Sequence, residues 1–98
     1  MVDHVAFVVS SIQASCDWYA RVLGVCVEHQ DDDWAMLTIP GSEVKIALTL
    51  QGTHPPHVAF RKELVTVDGT KTHRDGSKYL YVSDPDGNTI EFIDWEYQ

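Results

Sequence analysis

The sequence predicts an α+β fold built from two related modules, a complete βαβββ unit followed by a second copy that lacks its crossover helix. Three observations carry this expectation. The tetrapeptide "HVAF" occurs twice, at His4 to Phe7 and at His57 to Phe60, an internal repeat of the kind that marks two copies of one supersecondary unit. Short stretches rich in β-branched and aromatic residues alternate with turn signals along the chain. Helical periodicity is clear in one segment only, shortly after the first "HVAF".

The first strand is "HVAFVV", ending at Ser10-Ser11, whose hydroxyls can accept hydrogen bonds from the free N–H groups of a helix start. Ser10 with Gln13 three residues on fits a capping box. Beyond it Ile12, Cys16, Tyr19, Val22 and Leu23 recur at helical spacing, and Gly24 supplies the left-handed residue that commonly ends a helix. "VCVEH" and "WAMLTI" then flank the acidic turn Asp31-Asp32-Asp33, and "VKIALTL" follows the turn Pro40-Gly41-Ser42, which completes three strands with tight connections.

After the stiff linker "GTHPPH", whose prolines impose extended backbone and are expected to point His54 away from His57, the second "HVAF" opens the second module. "ELVTV", "KYLYVS" and "NTIEFI" read as its remaining strands, with Asp68-Gly69 and Asp84-Pro85-Asp86-Gly87 as turns. Only about a dozen residues separate Phe60 from His73, too few for a helix plus a strand with their connections. The expected organisation is one domain over residues 1–98, with modules 1–52 and 53–98.

A chain of 98 residues with 44% hydrophobic and 22% charged residues can bury one core, and chains this small often gain stability by associating with another copy. The formal charge of -8 repels phosphate backbones and anionic lipid surfaces, so nucleic acid and membranes are poor partners. Trp18, Trp34 and Trp95 therefore read as packing residues and not as a base-stacking platform. No apolar run is long enough to span a bilayer, and "MVDHVAFVVSS" lacks the basic start and long apolar core of a secretory signal. Cys16 and Cys26 are too few for a disulfide framework and lack metal-site spacing, which implies reduced thiols and a cytoplasmic protein. "HRD" at His73 to Asp75 echoes a kinase catalytic loop, but no glycine-rich loop accompanies it.

The repeat also selects candidate ligands. Side chains alternate along a strand, so His4 and Ala6 share one face while Val5, Phe7 and Val9 share the other, and His57 and Ala59 follow the same parity. In the last strand Ile90 and Phe92 form the packing face, which puts Glu91 opposite them. Taken singly, Glu91 is either a solvent-facing residue or a buried charge with a purpose. Aligning "KIALTL" with "NTIEFI" makes Ala47 the mate of Glu91, and a pseudo-twofold brings His4, His57, Ala47 and Glu91 to one cavity. Two imidazoles and a carboxylate form a facial triad with open coordination positions, suited to Fe(II) and compatible with Mn(II), Ni(II) or Zn(II).

On "DHVAFVVSSIQASCDWYARVLGV", "HPPHVAFR" and above all "LYVSDPDGNTIEF", the chain resembles the vicinal oxygen chelate superfamily, which includes glyoxalase I, extradiol dioxygenases, methylmalonyl-CoA epimerases, and fosfomycin and bleomycin resistance proteins. The resemblance implies paired βαβββ modules forming a cupped mixed sheet around a divalent metal, with His4, His57 and Glu91 at three ligand positions and Ala47 at the fourth. It implies a small substrate that chelates the metal through adjacent oxygens, with ring-cleaving oxygenation, isomerisation and thiol addition all open. The segment from His73 to Glu91 is similar to the extradiol dioxygenase signature, which would make His73 an acid/base near the ligands and Tyr81 a contact to a substrate oxygen. A non-catalytic drug- or metabolite-binding protein of the bleomycin-resistance type is the alternative. Without its helix, the second module would leave Val58, Phe60, Ile90 and Phe92 uncovered, and such a face invites a homodimer.

Overall fold

The computed structural model describes residues 1–52, 54–64 and 68–95. Its strands are β1 (Val2–Val9), β2 (Cys26–Gln30), β3 (Trp34–Thr38), β4 (Lys45–Leu50), β5 (His57–Arg61), β6 (Lys71–Thr72), β7 (Lys78–Ser83) and β8 (Thr89–Asp94), with one helix, α1 (Ile12–Leu23), among the described residues. The strands form a single mixed sheet in the order β2-β3-β4-β1-β5-β8-β7-β6. Each half repeats one pattern: the first strand of the module runs parallel to its last, β1 beside β4 and β5 beside β8, and the middle strands add on antiparallel.

The halves meet where β1 runs antiparallel to β5, with His4 opposite Ala59, Val5 opposite Val58, and Ala6 opposite His57. This register is symmetric about the Val5/Val58 pair, so the two "HVAF" segments exchange places across a local twofold. Within the halves Ala6 pairs with Ala47 and Ala59 pairs with Glu91, which makes Ala47 and Glu91 structural equivalents.

Helix α1 starts one residue later than the capping-box reading. Ser11, not Ser10, is the N-cap: its backbone is extended (φ -144°, ψ 119°) and its Oγ accepts from Ala14 N–H at 3.2 Å. Gln13 faces outward, donating to Asp17 and accepting from Gln30, so the reciprocal half of a capping box is absent. Gly24 ends the helix at φ 69°, its N–H bonded to the Ala20 carbonyl. The helix lays Ile12 and Cys16 on Val25, Ala35, Leu37, Ile46 and Leu48, all buried. Leu37 and Leu48 are fully enclosed, and truncating a leucine of this kind to alanine costs about 2–5 kcal/mol. Cys16 lies in this core and Cys26 at the surface, both as free thiols.

In the second half, "ELVTV" is not a described strand: Glu63 and Leu64 have irregular backbone and 65–67 lie outside the described residues. The antiparallel neighbour of β7 is the two-residue β6. The face of this half corresponding to the one under α1 carries Val58, Phe60, Ile90 and Phe92, all only partly buried. Phe7 and Val82 beside them are 41% and 37% exposed.

The opposite face of the sheet is concave. Seven strand spacings of about 4.8 Å would hold the edges of a flat sheet about 34 Å apart. Yet Arg74, in the β6–β7 loop at one edge, reaches within 3.5 Å of Asp31 in the β2–β3 turn at the other, and lies 5.8 Å over the Trp34 ring. The sheet therefore curls until its edges meet, and the centre of the hollow falls at β1, β5 and β8.

Candidate metal centre

His4, His57 and Glu91 project into that hollow from three adjacent strands, and one donor atom from each lies within 4.8 Å of the others. His4 Nε2 is 3.1 Å from Glu91 Oε1, His57 Nε2 is 3.3 Å from the same oxygen, and the two Nε2 atoms are 3.4 Å apart. All three side chains are buried. Ala47, at the equivalent of Glu91, packs with Ala6 and Met36 and offers only a methyl group.

Each of the three side chains is aimed by a neighbour. His57 Nδ1 donates to the Pro55 carbonyl at 2.7 Å, and His4 Nδ1 to the Asp3 carboxylate at 2.8 Å. Both acceptors lack a proton of their own to give, so in each neutral imidazole the hydrogen sits on Nδ1 and Nε2 presents its lone pair to the centre. Glu91 Oε2 accepts from His73 Nε2 at 2.8 Å, and the His73 ring stacks on Tyr79 at 3.6 Å. Glu91 Oε1 is buried and makes no hydrogen bond among the described residues, despite its closeness to both imidazoles.

With both imidazoles neutral, three unshared electron pairs converge on one point. Ligand–metal bonds of about 2.1 Å would separate neighbouring donors by about 3.0 Å at right angles and about 3.4 Å at tetrahedral angles, and the observed 3.1–3.4 Å fits that range. The donor set therefore suits a divalent cation. The electrostatics agree. Burial disfavours the Glu91 carboxylate, but the imidazoles of His4, His57 and His73 outweigh it and hold the group well below the usual range. Burial likewise works against a charged His4, yet Asp3 and Glu91 on either side raise it to about 9. The pocket is built to hold a positive charge, a proton in the absence of a metal.

Asp3 and His54 join the residues that sequence reasoning selected. Asp3 is 3% exposed, and its second oxygen accepts from Arg61 Nε at 2.8 Å and Trp95 Nε1 at 2.9 Å. Adjacent strand residues ordinarily face opposite ways, but the β1–β5 register shifts between Val2 and His4. That bulge turns Asp3 to the side of His4. His54, expected to point away, instead sits over the hollow with Nδ1 2.8 Å from the Tyr81 hydroxyl. Tyr81 pairs across strands with Glu91 and packs edge-on to His57 at 5.1 Å.

The model of the Glyoxalase/Bleomycin resistance protein/Dioxygenase superfamily matches residues 1–70. Among solved structures, methylmalonyl-CoA epimerase from Mycobacterium tuberculosis superposes with a TM-score of 0.78 at 19% identity, over 95% of this chain and 86% of that one. A variant of the Streptomyces coelicolor methylmalonyl-CoA epimerase in complex with 2-nitronate-propionyl-CoA gives 0.70 at 18% identity, over 95% of both chains. A glyoxalase/bleomycin resistance protein/dioxygenase superfamily member from Vibrio splendidus 12B01 gives 0.69 at 17%, over 96% of this chain and 98% of that one. No curated protein matches the sequence. At these identities the structural likeness is one of fold, and the family match spans more than half of the sequence: the chain belongs to the Glyoxalase/Bleomycin resistance protein/Dioxygenase superfamily.

Proposed function

We propose that this protein is a divalent-metal-dependent enzyme whose small substrate approaches the metal through adjacent oxygens. The observation that supports the reading is the convergence of His4 Nε2, His57 Nε2 and Glu91 Oε1, all buried, within 3.1–3.4 Å of one another. His4, His57 and Glu91 would hold Fe(II), Mn(II), Ni(II) or Zn(II), with Ala47 leaving the fourth corner unfilled. When bound, such an ion can polarise a carbonyl, lower the pKa of a hydroxyl or activate dioxygen.

The chain's own residues supply the rest. Asp3 and the Pro55 carbonyl fix the two imidazoles, and His73 donates to the outer oxygen of Glu91, so that only the inner one faces the centre. His73 thus acts on the ligand carboxylate, while Tyr81, on the rim, is placed to meet a substrate oxygen. The apolar face of the second half, on the far side of the sheet from this site and with no helix over it among the described residues, serves as the contact of a homodimer.

Elemental analysis of the purified protein, followed by titration of the stripped protein with each of the four ions, tests the metal. Stoichiometric binding is expected, reduced at least about a hundredfold in His57→Ala and Glu91→Ala, each of which removes one of only three ligands. Stripped protein that takes up none of the four ions refutes the proposal.

A further inference from the structure

The triad is enclosed, and a slight contact closes over it. His4, His57 and Glu91 are 5%, 8% and 1% exposed, and Ala47 beside them 5%. A ligand from solvent therefore reaches the three donor atoms only if part of the wall moves. On the side of the first half that wall is Trp34, packed on Ala6, Met36 and Ala47. Trp34 flanks Ala35, which with Leu37 lies under α1, so strand alternation puts the indole on the concave side. Its Nε1 is buried and makes no hydrogen bond among the described residues. Over this indole lies Arg74 from the opposite edge of the sheet, its Cζ 5.8 Å from the ring centroid and one guanidinium nitrogen 3.5 Å from Asp31 Oδ2.

Both ends of the bridge are anchored. Asp31 Oδ1 accepts from the backbone N–H groups of Asp33 and Trp34 at 2.8 and 2.9 Å. His29 stacks on the indole at 4.3 Å, with Nε2 3.0 Å from Asp31 Oδ2. Arg74 stands on a turn in which His73 N–H donates to the Ser77 carbonyl and Gly76 N–H to the His73 carbonyl. The Asp75 carboxylate accepts from the Ser77 N–H and hydroxyl. The same turn holds His73 against Glu91, so the turn itself cannot lift without disturbing the triad. The part free to move is the Arg74 side chain, 71% exposed and held by one long ion pair and one cation–π contact. Contacts of these two kinds favour a closed form by only about three- to tenfold.

We propose that the Arg74 side chain is a gate between the two rims of the hollow. Closed on Asp31 and Trp34, it shuts water out of the site, which strengthens the electrostatic interactions at the triad. Swung outward, it frees the indole to yield and a ligand to pass. What enters rests on the proposed metal-dependent function; the gate itself rests on the closed geometry.

The test uses Arg74→Gln and Asp31→Asn, the second of which keeps the oxygen that the β2–β3 turn needs. Trp34→Phe identifies the Trp34 signal among the three indole N–H groups, and hydrogen exchange at that N–H in the metal-free protein reads the opening. Both variants are expected to speed it about three- to tenfold, with the Leu37 and Leu48 backbone amides within about twofold of the parent. A concentration of about 1 M NaCl, which screens the ion pair, should speed the parent and not the variants. In the Zn(II)-loaded proteins, the rate at which the uncharged chelator 2,2′-bipyridine strips the ion should rise by a similar factor, with Zn(II) affinity unchanged. Unchanged exchange at Trp34 overturns the proposal, as does equal acceleration at Leu37 and Leu48, the mark of general destabilisation. So does an unchanged stripping rate, which would place the entrance elsewhere, and so does an altered Zn(II) affinity, which would make Arg74 a support of the triad. If the parent takes up no Zn(II), the metal reading fails instead, and the Trp34 exchange alone decides whether the gate exists.

Discussion

Glu91 interrupts an apolar strand, yet it is 1% exposed, and its charge is balanced by three imidazoles rather than by water. His4, His57 and Glu91 were readable in the sequence because the "HVAF" repeat fixed which strand face each occupies, and the Ala59/Glu91 register realises the alignment that paired Ala47 with Glu91. Asp3 was not readable, because a bulge breaks the alternation on which such reasoning rests. Asp3→Asn should therefore weaken metal binding by about 10–100-fold, the range for losing a hydrogen-bond partner behind a metal-bound histidine, as measured by competition with a metal indicator. An unchanged affinity would show that His4 needs no such support.

The same residues set a pH dependence. In the metal-free protein the His4 pKa is raised to about 9. Its charged form thus stabilises the fold fully below about 6.5, and that contribution is lost as pH rises through about 9. Metal must displace this proton. Apparent affinity should rise by about tenfold per pH unit on approaching pH 9 and level off above it, and a profile that is flat from pH 7 to 9 would contradict the raised His4 pKa.

At the scale of elements, the first module was legible almost throughout, since turn residues punctuate it and α1 carries its own stop signal in Gly24. Two adjacent serines left the helix start ambiguous, and the choice fell to Ser11 because its extended backbone aims Oγ at the first turn. Ser11→Ala should cost about 1 kcal/mol, and Ser10→Ala close to nothing, in denaturant melts of the two variants; equal effects would mean that the cap is shared. In the second module, "DPDGN" was a reliable signal. The Asp84 carboxylate accepts from the backbone N–H groups of Asp86 and Asn88 and from the Asn88 side chain. This fixes the hairpin register that sets Tyr81 opposite Glu91. The neighbouring "ELVTV" lies in part outside the described residues, and Glu63 and Leu64, which are described, have irregular backbone.

For the whole molecule, the asymmetry between the halves matters most. One half-sheet lies under α1, and the equivalent face of the other has no helix over it among the described residues. α1 itself turns Trp18, Val22 and Leu23 outward, each about half exposed. A sheet face without a helix and a helix with an uncovered stripe are complementary surfaces on one chain, the condition for a self-matching twofold contact. Sedimentation equilibrium should give twice the 11.1 kDa chain mass, falling to the chain mass in Phe7→Lys/Val82→Lys, whose metal site should survive because both residues lie on the other side of the sheet. A monomer in the parent protein would leave the apolar face without a partner copy and refute the dimer.

Ala47 carries a consequence of another kind. Every alanine codon lies a single base change from an acidic one, and the position that such a change would alter is the structural twin of Glu91. The two halves, which repeat one pattern of strands, thus differ at their centre by about the smallest step that mutation can take. A fourth candidate donor lies within one substitution of this scaffold, with the strands, the turn and both histidines already in position beside it.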